Sequence, residues 1–481
     1  MVEKTTFKIS KDDNFSEWYS EILARAEIVD LRYNVKGFVV VRPWGARIIE
    51  KMYKIYEEAL QLTGHEPCIF PAVIPEENFK KEAGHVEGFK PEVFWLKETG
   101  DEKLALRPTS ETAFYQMYNL WIRSWRDLPL KLYQRANIFR YETKATRPLI
   151  RGREFWWIEA HDCFSSKKEA EQQVLEDIIM TDRVMHGIFG VPFLPMRRPE
   201  WDRFPGADYT IGSDTIMPDG KIIQQPSTHM LGQHFSKAFD IKFKDRNEKE
   251  DFVWQTCYGP AISRILASVI SFHGDDFGLI LPYAISPVQL IIIPIFTAKN
   301  KSRVFREAVK LRIEMYNAGI SAEIDIEDKR PGEKFFFWEM KGIPFRIELG
   351  DKELNKREVD IFIRDIRKRF KCKMNNLGGQ IKKLGNEFDL RLIKKANAYF
   401  KKSIIDCRNK EEIKKALENK KIARFNFCSI EKSGEKCAEF IEKELQARIM
   451  GVRADKKELG AGRCAICGKK AGAVTYAGKS Y

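Results

Sequence analysis

Residues 153–164 read REFWWIEAHDCF and residues 133–142 read YQRANIFRYE, with the polar stretch TKATRPLIRG between them. Both runs have the length and the aromatic content of strands, and together they predict a long antiparallel hairpin. Successive side chains of a strand point to opposite faces. Phe155, Trp157, Glu159 and His161 therefore share one face of the second strand, while Trp156, Ile158 and Ala160 share the other. A face that mixes aromatic, acidic and imidazole groups, opposite a purely apolar one, predicts a lined pocket backed by core. A half-exposed strand is the alternative.

Working upstream, residues 44–62 place Trp44, Ile48, Ile49, Met52, Tyr56, Ala59 and Leu60 at helical spacing between Pro43 and Gly64, which predicts an amphipathic helix. It leads into CIFPAVIP (68–75), a short apolar strand whose Pro71 and Pro75 suit an edge or an interface better than the middle of a sheet. Near residue 286 the texture changes. ISPVQLIIIPI, the basic amphipathic segment 300–317, AEIDIED, PFRIELG and REVDIFIRD alternate strand and helix patterns, as in a compact α/β domain. From about residue 380 the chain is Lys-rich and helical in pattern, and it closes in a cysteine-bearing segment.

The 481 residues, 43% hydrophobic and 32% charged, suit a soluble globular protein of about three domains. The longest apolar run, around Val288 to Phe296, is too short to cross a bilayer, and MVEKTTFKIS lacks a signal peptide's apolar core. A cytoplasmic protein with no membrane association is expected. Residues 1–285 hold 38 Lys and Arg against 42 Asp and Glu, whereas residues 286–481 hold 45 against 27, so the net charge of +14 divides into −4 and +18. That swing favours a polyanionic partner in the C-terminal part, with nucleic acid the natural candidate. Of nine cysteines, Cys68, Cys163, Cys257, Cys372 and Cys407 stand singly and suggest no disulfide framework. The other four form a pattern.

These segments, taken together, resemble the signature set of class II aminoacyl-tRNA synthetases, and of the prolyl enzymes of archaeal and eukaryotic type in particular. The helix with CIFPAVIP resembles their motif 1, FRYE…RGREFWWIEAHDCF their motif 2, and YGPAISRILASVI (258–270) their motif 3. LRPTSETAFY (106–115) resembles their TxE substrate loop. The likeness runs along essentially the whole chain, in order. It implies an α+β and α/β multidomain protein with three parts. These are a class II catalytic domain (1–285) built on an antiparallel sheet with helices, an α/β anticodon-binding domain (286–385) and a small C-terminal zinc-binding domain (386–481). No Walker sequence is present, so the phosphates are left to positioned cations.

The activity implied is attachment of proline to the 3′ end of tRNA(Pro) through prolyl-adenylate, with release of pyrophosphate and AMP. Arg140, the motif 2 arginine, would bridge an α-phosphate oxygen and the proline carboxylate with its planar fork. Phe155 would stack on adenine, with Arg264 over the other face and reaching toward the γ-phosphate. Glu142, Arg151, Gly152, Gln224 and Ser227 match the family's other nucleotide contacts, although relatives more often carry Thr at the place of Ser227 and small residues at those of Gln225 and Pro226. ATP would bind with Mg²⁺ offsetting its phosphate charge. For proline, Thr109 and Glu111 match the contacts to the imino nitrogen, and Trp157, Glu159, His161, His229 and Ser263 would complete the pocket. Helix capping after Pro108 is the alternative role for Thr109 and Glu111.

A pocket sized for proline cannot strongly exclude smaller side chains, since a missing methylene is worth only about 1–3 kcal/mol. Alanine and cysteine are the expected errors. The editing insertion of bacterial-type enzymes has no room between Phe164 and Tyr258. In the α/β domain, Glu339, Arg346 and Lys352 match positions that read anticodon guanines, whose donors and acceptors suit carboxylate and cation; an exposed charged hairpin is the alternative. Cys428, Cys437, Cys464 and Cys467 imply a structural zinc, and since no His follows His273 any tetrahedral site must be all cysteine. A redox-active CxxC is the rival. The resemblance of motif 1 implies a homodimer, and Tyr481 matches a terminal tyrosine folded back near the active site. A synthetase for threonine, glycine or histidine, and a catalytically silent tRNA-binding protein, are the competing readings. The TxE loop and the retained Arg140 and Arg264 argue against them.

Overall fold

The computed structural model describes residue 7 and residues 9–85, 93–97, 100 and 102–481. In chain order the first part lays down α1 (Phe15–Arg25), α2 (Pro43–Leu62), β1 (Glu66–Pro67), α3 (Glu111–Trp121), β2 (Leu130–Phe139), β3 (Glu154–Phe164) and α4 (Lys167–Thr181). It continues with β4 (Leu194–Arg197), β5 (Tyr209–Ile216), β6 (Lys221–Gly232), β7 (Trp254–Gly259) and α5 (Ile262–His273).

The hairpin forms as the alternation requires. β2 and β3 are antiparallel in an unbroken register from Leu130–Cys163 to Phe139–Glu154, and β3 pairs on its other side with β7. The strand starts three residues earlier than the sequence reading placed it and ends at Phe139, so Arg140 sits just beyond it. On α2, Pro43 occupies the first position, where its missing N–H costs nothing. Trp44, Ile48, Ile49, Met52, Tyr56, Ala59 and Leu60 are all buried in the core shared with α1 and α5. These side chains are consumed within the chain and leave no free apolar face. Of CIFPAVIP, only Val73–Pro75 is a strand, paired with Leu104–Leu106. Pro71 has no N–H to offer a ladder, and the Phe70 N–H goes instead to the Gln134 side chain at 2.9 Å.

The second part contains β8 (Leu290–Pro294), α6 (Lys301–Asn317), β9 (Ala322–Ile324), α7 (Pro331–Lys341), β10 (Phe345–Leu349), β11 (Glu358–Ile363) and β12 (Lys368–Lys373). Its sheet has the order β9-β8-β10-β11-β12, parallel across β9, β8 and β10 and antiparallel thereafter. Arg364 bolts it to the first part through both oxygens of Asp275, at 2.9 and 2.5 Å. The Trp44 indole adds a bond of 3.1 Å to the Lys341 carbonyl.

The last part comprises α8 (Leu377–Lys402), β13 (Ile404–Cys407), α9 (Lys410–Glu418), β14 (Ile422–Phe427), α10 (Glu435–Leu445), β15 (Arg448–Arg453) and β16 (Ala473–Ser480). It is not a detached module. β15 pairs with β4, and β16 pairs in parallel with β6 at Lys221–Lys479, so one sheet of 11 strands runs β13-β14-β16-β15-β4-β5-β6-β7-β3-β2-β1. Helix α8, 26 residues long, passes without a break across residues 385 and 386.

At Gly385, on that helix, a Cβ would fall 2.6 Å from the Tyr283 ring. Gly385→Leu is expected to destabilise the protein by about 1–3 kcal/mol, read as a lower thermal unfolding midpoint. An unchanged midpoint would show that α8 is not seated on Tyr283.

Candidate active site

A cavity of about 190 Å³ opens on the face of β3 that carries Phe155, Trp157, Glu159 and His161. Thr109 and Glu111 come to it from the start of α3, Arg140 from the end of β2, Gln224, Ser227 and His229 from β6, and Arg264 from α5. The alternation therefore put the right side chains on the right face. Phe204, Gln225, Cys257, Tyr258, Gly259 and Ala261 also line the cavity, although the sequence reading gave none of them a ligand contact. Cys257 could have been found, because β7 lies beside β3 and alternates with the same period.

Two arginines face the cavity with little to hold them. Arg140 donates Nε to the Pro108 carbonyl at 3.1 Å, and among the described residues no acceptor engages its Nη atoms. Its guanidinium lies 5.2 Å from the centre of the Phe155 ring and 5.7 Å from that of Trp157. Burial lowers its pKa, while Glu111, Glu159 and Glu142 work the other way. Arg264 donates to the carbonyls of Ile150 (3.1 Å) and Gln224 (3.4 Å). Burial, helped by Arg140, Arg151 and Arg448, lowers its pKa to about 10. Both guanidinium groups stay charged near neutrality, and both gain from an anion between them.

The acidic side is tightly bonded. The Thr109 hydroxyl donates to the Glu111 carboxylate instead of capping the helix, and Ser110, at the N-cap, makes no side-chain cap. The Glu159 carboxylate accepts from the Ser110 hydroxyl (2.5 Å), the Ser110 N–H (3.2 Å) and Gln134 (2.8 Å), with His161 Nε2 at 3.3 Å. Against burial, these bonds hold its pKa below the ordinary glutamate value. His229 sits between the hydroxyls of Thr210 (2.9 Å) and Ser227 (3.0 Å), and burial with the Arg198 and His161 charges lowers its pKa to about 3, so it stays neutral.

On β6 the ladder is irregular between Gln224 and Ser227, where Gln225 and Pro226 form a bulge. The Gln225 amide turns to the Ser268 hydroxyl at 2.5 Å, and Gln224 accepts from Arg198 at 2.9 Å. Arg198, unmarked in the sequence reading, is buried in a two-pronged pair with Asp214 and also bonds the Met450 carbonyl of β15. The last part of the chain thus props the wall that carries Gln224.

Ser263 is not with the other expected proline contacts. It borders a neighbouring cavity with Arg151, Gly152, Phe155 and Trp156, and its buried hydroxyl has no partner among the described residues. Arg151 lies 3.6 Å from Glu142 and donates to the Tyr481 main-chain oxygen at 2.8 Å. The Tyr481 hydroxyl donates to Asp219, also at 2.8 Å, and its ring lies against Arg147. A Cβ on Gly152 would meet the Glu154 and Gly37 carbonyls at 2.8 and 3.1 Å, so the close approach this glycine permits is to the chain itself.

In the second part, Lys352 is exposed, but Glu339 on α7 and Arg346 on β10 are buried and paired at 3.0 Å. The other Glu339 oxygen takes Arg367 at 2.5 Å, and the Arg346 guanidinium lies near the rings of Phe335 and Phe362. They are not an exposed hairpin, and contact with a base requires this pair to exchange partners. Cys428, Cys437, Cys464 and Cys467 each bring a sulfur within 4.8 Å of the others. Gly468, at φ +71°, closes the turn after Cys467, and the wide spacing from Cys428 is spanned because Cys437 lies in the first turn of α10. Four sulfurs and no imidazole suit a closed tetrahedral zinc site.

The chain matches the family model of the tRNA synthetase class II core domain (G, H, P, S and T) over residues 94–273. It also matches that of the anticodon binding domain over 289–384 and that of the prolyl-tRNA synthetase C-terminal region over 410–481. The proline–tRNA ligase of Thermofilum pendens is 49% identical over 480 residues, covering 98% of each chain. The chain belongs to the prolyl-tRNA synthetase family. Another curated member, from Pyrococcus abyssi, is 40% identical over 98% of each chain. Among solved prolyl-tRNA synthetases, that of Giardia lamblia in complex with prolyl-adenylate superposes with a TM-score of 0.94 at 36% identity, covering 99% of this chain and 100% of that one. The Cryptosporidium parvum enzyme complexed with halofuginone and AMPPNP gives 0.90 at 32%, with the same coverage.

Behind the site, Asp177 accepts from Thr228 (2.6 Å) and Gln173 (2.8 Å). Burial, with the Asp162 charge, pushes its pKa up to about 7. Folded Asp177 therefore holds its proton more tightly than unfolded Asp177, and its burial costs stability increasingly from about pH 4 to pH 7. Asp177→Asn is expected to flatten that decline when unfolding midpoints are compared across this range. A variant with the parent's slope would place an ionised carboxylate in the fold.

Proposed function

We propose that this chain activates proline with ATP and transfers the prolyl group to the 3′ end of tRNA(Pro), releasing pyrophosphate and AMP. The observation that carries the reading is a single cavity with an unengaged Arg140 fork at its centre, Phe155 and Arg264 on one side and the Thr109–Glu111 pair with Trp157 on the other. Activation brings together two anions, the proline carboxylate and the α-phosphate of magnesium-bound ATP. A carboxylate oxygen attacks the α-phosphorus as pyrophosphate leaves. Arg140 bridges the two reactants and spreads the charge that builds on phosphorus, and because it is already in place no reorganisation is needed. Glu111 balances the positive imino nitrogen, Trp157 walls the pyrrolidine ring, and Glu159 and His161 hold the floor. Phe155 and Arg264 sandwich the adenine, with Gln224, Ser227, Glu142 and Arg151 around the nucleotide. A terminal ribose hydroxyl of the tRNA then attacks the prolyl carbonyl, and AMP departs.

The remaining assignments rest on narrower support. Cys428, Cys437, Cys464 and Cys467 hold a structural zinc, since four thiolates leave no open position. Glu339, Arg346 and Lys352 read the anticodon, within a region of net charge +18 suited to RNA. A homodimer is supported by Leu62, Ile69, Leu120 and Trp121, which are exposed at the end of α2, just after it and on α3, with Ile69 at 96%. A cytoplasmic location fits nine cysteines free of disulfides, and among the described residues no helix is long and apolar enough to cross a membrane. The divisions are catalytic (1–285), anticodon-binding (286–385) and zinc-binding (386–481), the last boundary falling inside the unbroken helix α8. Residues 165–257 build α4 and the strands β4 to β7, so that cysteine and alanine errors go uncorrected in cis.

Purified protein is expected to catalyse proline-dependent ATP–pyrophosphate exchange, with Arg140→Ala lowering kcat by about 10²–10³ or more. Exchange driven by threonine, glycine or histidine, or none at all, would overturn the reading. Glu111→Gln is expected to raise the KM for proline by roughly 10-fold to 100-fold while leaving the KM for ATP nearly unchanged, because one charge-assisted bond is lost. Equal increases in both would remove Glu111 from the imino nitrogen.

A further inference from the structure

His161 on β3 and Cys257 on β7 are direct partners in the antiparallel register, so their side chains stand next to each other on the cavity face. Glu111, the first residue of α3, brings its carboxylate over the same spot. One nitrogen, one sulfur and one oxygen from these three buried residues lie within 4.8 Å of one another, and the Cys257 sulfur is 3.8 Å from Glu111 Oε1. All three residues also line the cavity, so a position opposite them is open.

We propose that Glu111, His161 and Cys257 form a second metal site, open on its cavity side, which takes a borderline-soft divalent cation such as Zn²⁺ and which proline displaces. A thiolate, an imidazole and a carboxylate are a donor set for such an ion, and an open fourth position takes water. Mg²⁺, which accompanies ATP, prefers an octahedron of oxygens and is rejected by the sulfur. Tetrahedral bonds to these atoms need donor separations of roughly 3.3–3.5 Å, so the Cys257 sulfur and Glu111 Oε1, now 3.8 Å apart, draw together on binding. Of the charged neighbours, Arg140 opposes a cation and Glu159 favours one. Glu159, 3.3 Å from His161 Nε2, adds a second carboxylate, and the Thr109 hydroxyl steadies Glu111. On binding, the Cys257 S–H bond breaks, its proton goes to solvent and a sulfur–metal bond forms, with no change of oxidation state.

The site differs in kind from the four-cysteine cluster. That cluster is closed and has no competitor, whereas the three-donor site shares Glu111 with the imino nitrogen of proline. Mutual exclusion of metal and proline rests on the proline assignment made above; the metal binding itself does not.

The test is equilibrium dialysis of the full-length, zinc-loaded protein against buffered free Zn²⁺, with bound zinc counted by elemental analysis. Two zinc ions per chain are expected, falling to one when proline is saturating. Cys257→Ala and Glu111→Gln should each hold one, with unfolding midpoints recorded to verify that the variants are folded. A single zinc in the parent protein, or a second zinc that survives in both folded variants, overturns the site. Two zinc ions in the parent, one in the variants and no displacement by proline would establish the metal site and sink the placement of proline against Glu111.

Discussion

The buried carboxylate of Glu159 ties three separate stretches of chain to one point: Ser110 before α3, Gln134 on β2 and His161 on its own strand. A carboxylate taken out of water is tolerated only when its lone pairs are occupied, and breaking one partner away leaves a penalty of several kcal/mol. The segment carrying Thr109 and Glu111 is thereby fixed above the sheet, although no strand of the large sheet runs through it. The cavity's width, and the distance from Glu111 to Arg140, follow from that anchorage.

The cationic side obeys the opposite rule. Arg140 faces the cavity with its fork unspent, and Arg264 lies close enough to Arg140, Arg151 and Arg448 for their charges to depress its pKa. Such an arrangement stores electrostatic cost in the empty protein and releases it when a polyphosphate arrives. Rigid neighbours sustain it: the Pro108 carbonyl under Arg140, the Ile150 carbonyl under Arg264, and the Arg198–Asp214 pair behind Gln224.

The hairpin and the side chains on its pocket face were legible because strand alternation is a local signal, and β3 carries it through Phe155, Trp157, Glu159 and His161. The limits of α2 were equally plain from Pro43 and its apolar spacing. What escaped was set by pairing between distant segments. Nothing near Arg198 announces Asp214 across the sheet, and nothing near Arg448 or Lys479 announces that β15 and β16 extend the catalytic sheet. Ser263 was assigned from its neighbours in the motif, whereas the first turn of α5 aims it at the adjoining cavity. Glu339 and Arg346 were assigned from the family resemblance, and their mutual pairing depends on how α7 packs against β10.

The junction of β6 with β16 sets the order in which the molecule can be completed. Lys221 meets Lys479 only after the whole stretch between them has been synthesised, and β4 likewise waits for β15. During synthesis the growing sheet therefore lacks the β16 partner of Lys221 and Ile222 and the Met450 carbonyl that Arg198 uses. A vectorially made chain can finish β2, β3 and β7 early, but the wall that carries Gln224 matures last. Nascent chains stalled short of β15 would carry the Glu159 anchorage nearly built and the wall holding Gln224 unfinished.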